Sequence, residues 1–274
     1  MRIQLIASDL DGTLLTDKKE LTKRTRKALE KAIARGVHFV PCTGRSYVAI
    51  PEEIKTFPGV EYVICTNGGV IYSVSQNKRI YQRLLEPASV EAALAIPRSE
   101  EMVMEAFIDG VPYSEARYVE NPGAFGADEA RIQYVKKTRQ GVEDMERFIR
   151  ENKTRLDGML FLSMKPEVRQ AFRKELEERV PNIYITSSYP HLLEVGHKDG
   201  GKGKTLEYLL NHLQINRENA MAFGDGDNDW EMLLAVDYGI AMKNGTDRCK
   251  EAAFYVTETN ENEGVAKAME RFME

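Results

Sequence analysis

Apolar and polar positions along this chain follow two rhythms. Short apolar runs read as strands, beginning with Gln4 to Ser8 (QLIAS), and between them the spacing turns helical. From Thr22 to Arg35, the residues Ala28, Leu29, Ala32 and Ile33 share one face, with Thr22 as N-cap and Gly36 as C′ residue. His38 to Pro41 and Tyr62 to Cys65 are the next strands, with a polar turn between them. Near the other end, Leu206, Leu209, Leu210 and Leu213 sit at i, i+3, i+4 and i+7 within Thr205 to Leu213, a helix with one buried stripe. The strand Ala220 to Phe223 follows, then the helix-like Asn228 to Ala235, then the strands Tyr238 to Met242 and Phe254 to Thr257. Strands alternating with helices predict the α/β class, with a parallel sheet covered on both faces.

The segment 84–188 breaks that rhythm. It holds charged helical patterns (Glu143 to Asn152, Pro166 to Arg179) and strand patterns (Met102 to Ile108, Gly158 to Met164, Tyr184 to Thr186). These predict an inserted α+β module, so 1–83 and 189–274 form one discontinuous α/β core around it. Hydrophobic residues at 42% and charged residues at 30% suffice for a core in a chain of 274 residues, and exclude a disordered or collagen-like chain. No window approaches the roughly 18 uninterrupted apolar residues of a membrane span. The start, MRIQLIASDLDGT, meets two aspartates too soon for a secretory signal. A net charge of −5, with neither module nor core basic, predicts no nucleic-acid partner. Cys42, Cys65 and Cys249, an odd number without metal-ligand spacing, read as reduced thiols of a cytoplasmic protein without a membrane partner.

Four constellations could carry chemistry. Asp9-Leu10-Asp11-Gly12-Thr13 follows the first strand, and residues i and i+2 of extended chain point to one side. Two carboxylates would then meet at the carboxyl end of a parallel strand, where open α/β sheets bind ligands; they repel unless a cation or a proton separates them. The plain alternative is a solvated Asx turn closed by Gly12. Gly224-Asp225-Gly226-Asp227-Asn228-Asp229 adds carboxylates at another strand end and favours a hard cation with oxygen ligands. An EF-hand is excluded, because loop position 6 would be Trp230 and position 12 Val236. Thr43-Gly44-Arg45 offers a hydroxyl, a close backbone and a cation to a phosphate oxygen, or is a simple turn. Gly203-Lys204-Thr205 imitates the end of a P-loop, but the required earlier glycine is Lys198. Lys202, opening the same helix, suits an anion. The histidines 38, 191, 197 and 212 lack metal spacing, and Trp230, Met232 and Met242 read as core.

Taken together, these pieces resemble the haloacid dehalogenase-like hydrolase superfamily, and within it the Cof-type phosphatases with a large α+β cap between the second and third motifs. Asp9 to Leu14 matches the first motif, Thr43-Gly44-Arg45 the second, Lys202-Gly203 the third, and Gly224-Asp225 with Asn228-Asp229 the fourth. Asn67-Gly68-Gly69, Gly239 to Gly245 and Glu263 to Ala266 match lesser signatures. Ser8 departs from the usual aromatic residue, Lys198 and Lys204 crowd the third motif beside Lys202, and Asp227 is an extra acid. The resemblance implies a Rossmann-like core and a phosphatase of small phosphorylated metabolites, working as a monomer or small homo-oligomer. Asp9 would be the nucleophile that forms an aspartyl phosphate, and Asp11 the general acid and base. Mg²⁺ would be held by Asp9, the backbone carbonyl of Asp11 and Asp225. Thr43, Gly44, Arg45, Lys202 and Asn228 would bind the phosphoryl oxygens, with Asp229 in support. Dehalogenases of the superfamily lack the second aspartate, so Asp11 favours phosphoryl chemistry. A phosphomutase on the same core and a catalytically silent binding protein are the alternatives.

Overall fold

The computed structural model describes residues 3–273, which fall into two compact units: 3–45, 50–81 and 201–273 in the first, 46–49 and 82–200 in the second. The first unit is built on a five-stranded sheet ordered Tyr255–Val256, Tyr238–Ala241, Ala220–Gly224, Leu5–Ser8, His38–Pro41, parallel throughout. Leu5–Ser8 lies inside the sheet, with Leu5 opposite both Ala220 and His38, and all of its residues are buried. That explains an apolar run without alternation, since helices cover both faces. The chain leaves this strand for one side of the sheet, through Lys23–Ile33 to His38–Pro41, and later returns on the other side at Ala220–Gly224. The strand ends at Asp9 and Asp225 therefore flank a topological switch point, where loops diverge and leave a crevice.

Local signals set the helices. Thr22 caps Lys23–Ile33 by accepting the Thr25 N–H at 3.2 Å, and Gly36 closes the end at φ 83°. Lys202–His212 starts three residues before the sequence pattern does, because the Thr205 N–H already donates to the Gly201 carbonyl at 3.1 Å. Its leucines at 206, 209 and 210 pack with Leu5, Ala7, Val40, Ala222 and Met232 in one core. Trp230 departs from expectation: it is half-buried beneath the Arg248 guanidinium, 4.2 Å from the ring centroid, whereas Met232 and Met242 are fully buried.

Tyr62–Cys65 also departs from the simple parallel order. A single parallel bridge joins Ile64 to Cys42, but the strand itself pairs antiparallel with Val70–Ser73, and Lys78–Gln82 completes a three-stranded sheet. Thr66, Asn67 and Gly68, at φ 50°, 49° and 90°, reverse the chain here.

The second unit is a six-stranded sheet ordered Ile183–Thr186, Leu192–His197, Leu156–Leu162, Val103–Ile108, Val111–Glu115, Gln140–Val142. Its strands pair antiparallel except the last two. Pro87–Leu94, Met145–Glu151 and Pro166–Arg179 share a core with this sheet through Val90, Ile149, Phe172 and Leu176. The inserted module was expected to end at 188, yet the unit runs through Gly200. Leu192–His197 hydrogen-bonds to strands on both sides, Ile183 standing opposite His197 and Leu192 opposite Leu162, so the cut at 188 would split a sheet. The three cysteines are buried thiols outside any disulfide, and among the described residues no helix is long and apolar enough to cross a membrane.

Candidate active site

Lys202 is the centre of the site. It is fully buried, and its Nζ donates to Asp9 Oδ1 at 2.6 Å and to Asp229 Oδ1 at 2.5 Å. Lys198 and Lys204, the neighbours that left the third motif open, are exposed, so Lys202 is the lysine that meets the carboxylates. It opens a helix seated on Asn67-Gly68: Thr205 Oγ1 donates to the Gly68 carbonyl at 2.6 Å, and a Cβ on Gly68 would fall 2.3 Å from the Gly201 carbonyl oxygen. The ammonium is thus fixed by backbone packing rather than by its own flexible stem.

Asp229 Oδ2 accepts the backbone N–H groups of Asp225 (3.0 Å) and Gly226 (2.9 Å), which folds the acidic loop back on itself. Asp225 in turn accepts from Thr13 Oγ1 at 2.6 Å, joining the ends of Leu5–Ser8 and Ala220–Gly224. Gly12, at φ 85°, leaves room for this carboxylate, since a Cβ there would lie 2.4 Å from Asp225 Oδ2. Asp9, Asp225 and Asp229 each bring an oxygen within 4.8 Å of the others. Asp227, in the same loop, is half-buried and outside that group.

Three crowded acids share one buried cation, and their titration reflects it. Burial, then the charges of Asp229, Asp225 and Asp11, raise Asp9 well above the ordinary carboxylate range against the pull of Lys202. Burial and Asp229 push Asp225 up to about 7, against the Thr13 hydrogen bond. Lys202 is pulled down by burial, but Asp229 and Asp9 outweigh this and keep it an ammonium. An all-oxygen donor set with excess negative charge in a polar crevice fits a hard divalent cation such as Mg²⁺.

Asp11 lies near enough to Asp9 for its charge to raise that carboxyl, but it stands outside the group of three acids and has partners of its own. Arg45 Nε donates to its Oδ2 at 2.6 Å and Arg45 Nη2 to its Oδ1 at 2.7 Å, while Lys19 Nζ lies 2.8 Å from Oδ1. Burial raises the Asp11 carboxyl, but the Arg45 and Lys19 contacts outweigh it and hold the group at about 2. Arg45, expected on a phosphate oxygen, is here a bidentate partner of Asp11. The turn after His38–Pro41 brings its guanidinium to the loop after the neighbouring strand. Thr43 is buried and accepts the Arg45 N–H at 3.2 Å, with Gly44 half-buried between them. The Thr43 carbonyl accepts from the Asn67 N–H at 3.1 Å, and Asn67 Oδ1 accepts from Asn228 Nδ2 at 2.9 Å. Thr43 and Asn228, remote in sequence, are thereby linked through Asn67.

Sequence reasoning gave no role to Thr13, Lys19, Asn67 or Asn244, whose Nδ2 donates to the Gly12 carbonyl at 2.8 Å. Asn67-Gly68 stands out in the sequence only as part of a lesser family signature, and Asn-Gly so soon after an apolar strand is also a signal for positive φ. Lys19, itself at φ 64°, had no comparable signal.

The comparisons agree with this architecture. The family model for haloacid dehalogenase-like hydrolases matches residues 6–269, and the chain belongs to that family. It is 28% identical over 287 residues to Phosphatase YwpJ of Bacillus subtilis, covering 99% of this chain and 100% of that one. It is also 28% identical to the 5-amino-6-(5-phospho-D-ribitylamino)uracil phosphatase YcsE of the same organism, covering 99% and 96%. A solved haloacid dehalogenase-like hydrolase from B. subtilis superposes with TM-score 0.82 at 26% identity, over 98% of this chain and 100% of that one. The chain is a phosphoric monoester hydrolase of this family.

Proposed function

We propose that the chain hydrolyses small phosphomonoesters in a Mg²⁺-dependent reaction through an aspartyl phosphate on Asp9. The observation that carries the reading is the buried Lys202 held between Asp9 and Asp229, with Asp225 beside them. Asp9 and Asp225, with the backbone carbonyl of Asp11, are the residues that would hold Mg²⁺. Bound there, the ion supplies charge neutralisation between a carboxylate nucleophile and an anionic phosphoryl group.

The chain's own groups do the rest. A carboxylate oxygen of Asp9 forms a bond to phosphorus as the bond to the leaving oxygen breaks. Lys202, Thr43 and Asn228 hold the phosphoryl oxygens, and Asp229 holds Lys202. Asp11 takes a proton from the water that attacks the intermediate; it is already ionised for this, but a carboxylate held at about 2 is a weak base, and release from Arg45 and Lys19 strengthens it. Giving a proton to the leaving group is the harder half, because Asp11 must first leave Arg45 and Lys19 and acquire that proton. The residues 82–200 act as a cap that selects substrates, and YcsE, whose name specifies a phosphoribitylamino-pyrimidine, supports a small phosphorylated metabolite as substrate. Buried thiols outside any disulfide suit a reducing, cytoplasmic setting.

Release of inorganic phosphate from p-nitrophenyl phosphate with Mg²⁺ tests the reading. Asp9→Asn should lower turnover by several orders of magnitude, as loss of a covalent nucleophile does, with an unchanged circular dichroism spectrum. Retention of more than about a tenth of the activity would remove Asp9 from that role. Transfer to a second hydroxyl without free phosphate would instead identify a phosphomutase, and absence of both would leave a silent binding protein.

A further inference from the structure

Outside the candidate active site, the first unit carries a groove of ≈ 290 Å³ between the helices Lys23–Ile33 and Gly264–Met273. One wall is cationic. Arg24, Lys27 and Lys31 repeat at helical spacing, Arg35 follows just past the helix end, and all are exposed. The other wall holds the thioethers Met269 and Met273, and the small side chains of Ala28 and Ala32 leave space between the walls. Nothing in the proposed reaction uses any of these residues.

The ends of the groove are tied to the second helix. Arg24 donates to Glu270 through Nε (3.0 Å) and Nη2 (2.6 Å), and Arg35 Nη1 donates to the Met273 carbonyl at 3.2 Å. Among the described residues Glu270 is the one carboxylate in the lining; the Arg24 hydrogen bond, with Lys31 and Lys267 adding to it, holds Glu270 below its ordinary range. Arg24 is matched by Glu270 and, at 3.4 Å, by Glu263, so Lys27, Lys31 and Arg35 supply the net positive charge of the groove in a chain of net charge −5, a local field opposite to that of the molecule. Lys27 and Lys31 stand one turn apart, about 6 Å along the axis, a spacing that suits successive phosphates of a linear polyphosphate.

We propose that this groove binds a nucleoside polyphosphate, its phosphates on Lys27 and Lys31 and its base against Met269 and Met273. The volume sits near the lower end of small-ligand sites, which run about 300–1,000 Å³, and is too small to seat a folded partner. The pairing of a cationic wall with a thioether wall matches a ligand with one anionic and one aromatic end, since sulfur packs well at ring edges. An anionic membrane is disfavoured because the basic residues line a concavity and, among the described residues, no exposed large apolar side chain lines it with them.

The test is calorimetric titration of the full chain with a β,γ-imido nucleoside triphosphate in EDTA at low salt. Binding should be submillimolar, weaken with added salt, and fall at least tenfold in K27E/K31E. That variant should keep its melting temperature, since both lysines are exposed. Inorganic tripolyphosphate should bind at least tenfold more weakly than the nucleotide. No binding, equal binding of tripolyphosphate, or sedimentation with phosphatidylserine vesicles in place of nucleotide binding would overturn the proposal. Nucleotide binding lost in Lys202→Met but kept in K27E/K31E would move the ligand to the candidate active site and equally overturn it.

Discussion

Asp11 is held by Arg45 and Lys19 as a carboxylate, while the proposed reaction also asks it for a proton. The conflict makes a substrate-dependent prediction. A nitrophenolate departs without a proton and a sugar alkoxide needs one, so Asp11→Asn should harm alkyl phosphates more than p-nitrophenyl phosphate. General acid assistance is worth about 10²–10⁴-fold, and that sets the size of the gap in kcat/KM. Equal losses on both substrates would take the acid role from Asp11. The same substitution removes a group whose carboxyl is lowered in the folded state. The stability such a group contributes is fully present above its unfolded value and disappears as pH falls through about 2. Chemical denaturation at neutral pH should therefore show Asp11→Asn as less stable, with the difference vanishing at strongly acidic pH.

At the scale of elements, the helix Lys202–His212 delivers the buried ammonium, and its seat is the backbone of Asn67-Gly68. Gly68→Ala would add a Cβ at φ 90° and 2.3 Å from the Gly201 carbonyl oxygen, so the helix start must move and Lys202 with it. Gly36→Ala makes the control: φ is 83°, but nothing lies within 4 Å of the new Cβ. The left-handed conformation alone costs about 1–2 kcal/mol. Both variants should lose that much in thermal unfolding, and only Gly68→Ala should lose more and also lose phosphatase turnover. Equal effects of the two on stability and activity would mean that the Gly68 contact does not position the lysine.

For the whole molecule, two strand ends from opposite parts of the chain press Asp9, Asp225 and Asp229 together around one lysine. A carboxyl raised in the folded state, as Asp225 is to about 7, binds more protons folded than unfolded between its ordinary value and 7. Metal-free stability should thus decline as pH rises through that interval. Mg²⁺ must displace the proton to bind, so its stabilising effect should be larger at pH 8 than at pH 5.5. At 100 times its dissociation constant a ligand adds about 2.7 kcal/mol, enough to read as a shift in Tm of several degrees or less. A Tm increase that is independent of pH, or absent in wild type, would contradict a carboxylate site for the ion.

The sequence by itself determined the elements whose cause is local. Thr22 caps its helix, the leucine stripe of 206–210 is buried, and Pro166–Arg179 is helical where its pattern begins and ends. It also determined which acids stand at strand ends, because motif and strand are adjacent in the chain. Tertiary structure alone decided three things. Leu192–His197 joined the inserted sheet because its hydrogen-bond partners lie in Leu156–Leu162 and Ile183–Thr186, and an apolar strand does not announce its neighbours. Tyr62–Cys65 turned away from the parallel order because residues at positive φ reversed the chain after it. Arg45 went to Asp11, and Lys202 rather than Lys198 or Lys204 went to Asp9, because an ion pair is chosen by which side chains the packed strands and helices bring within reach of each other.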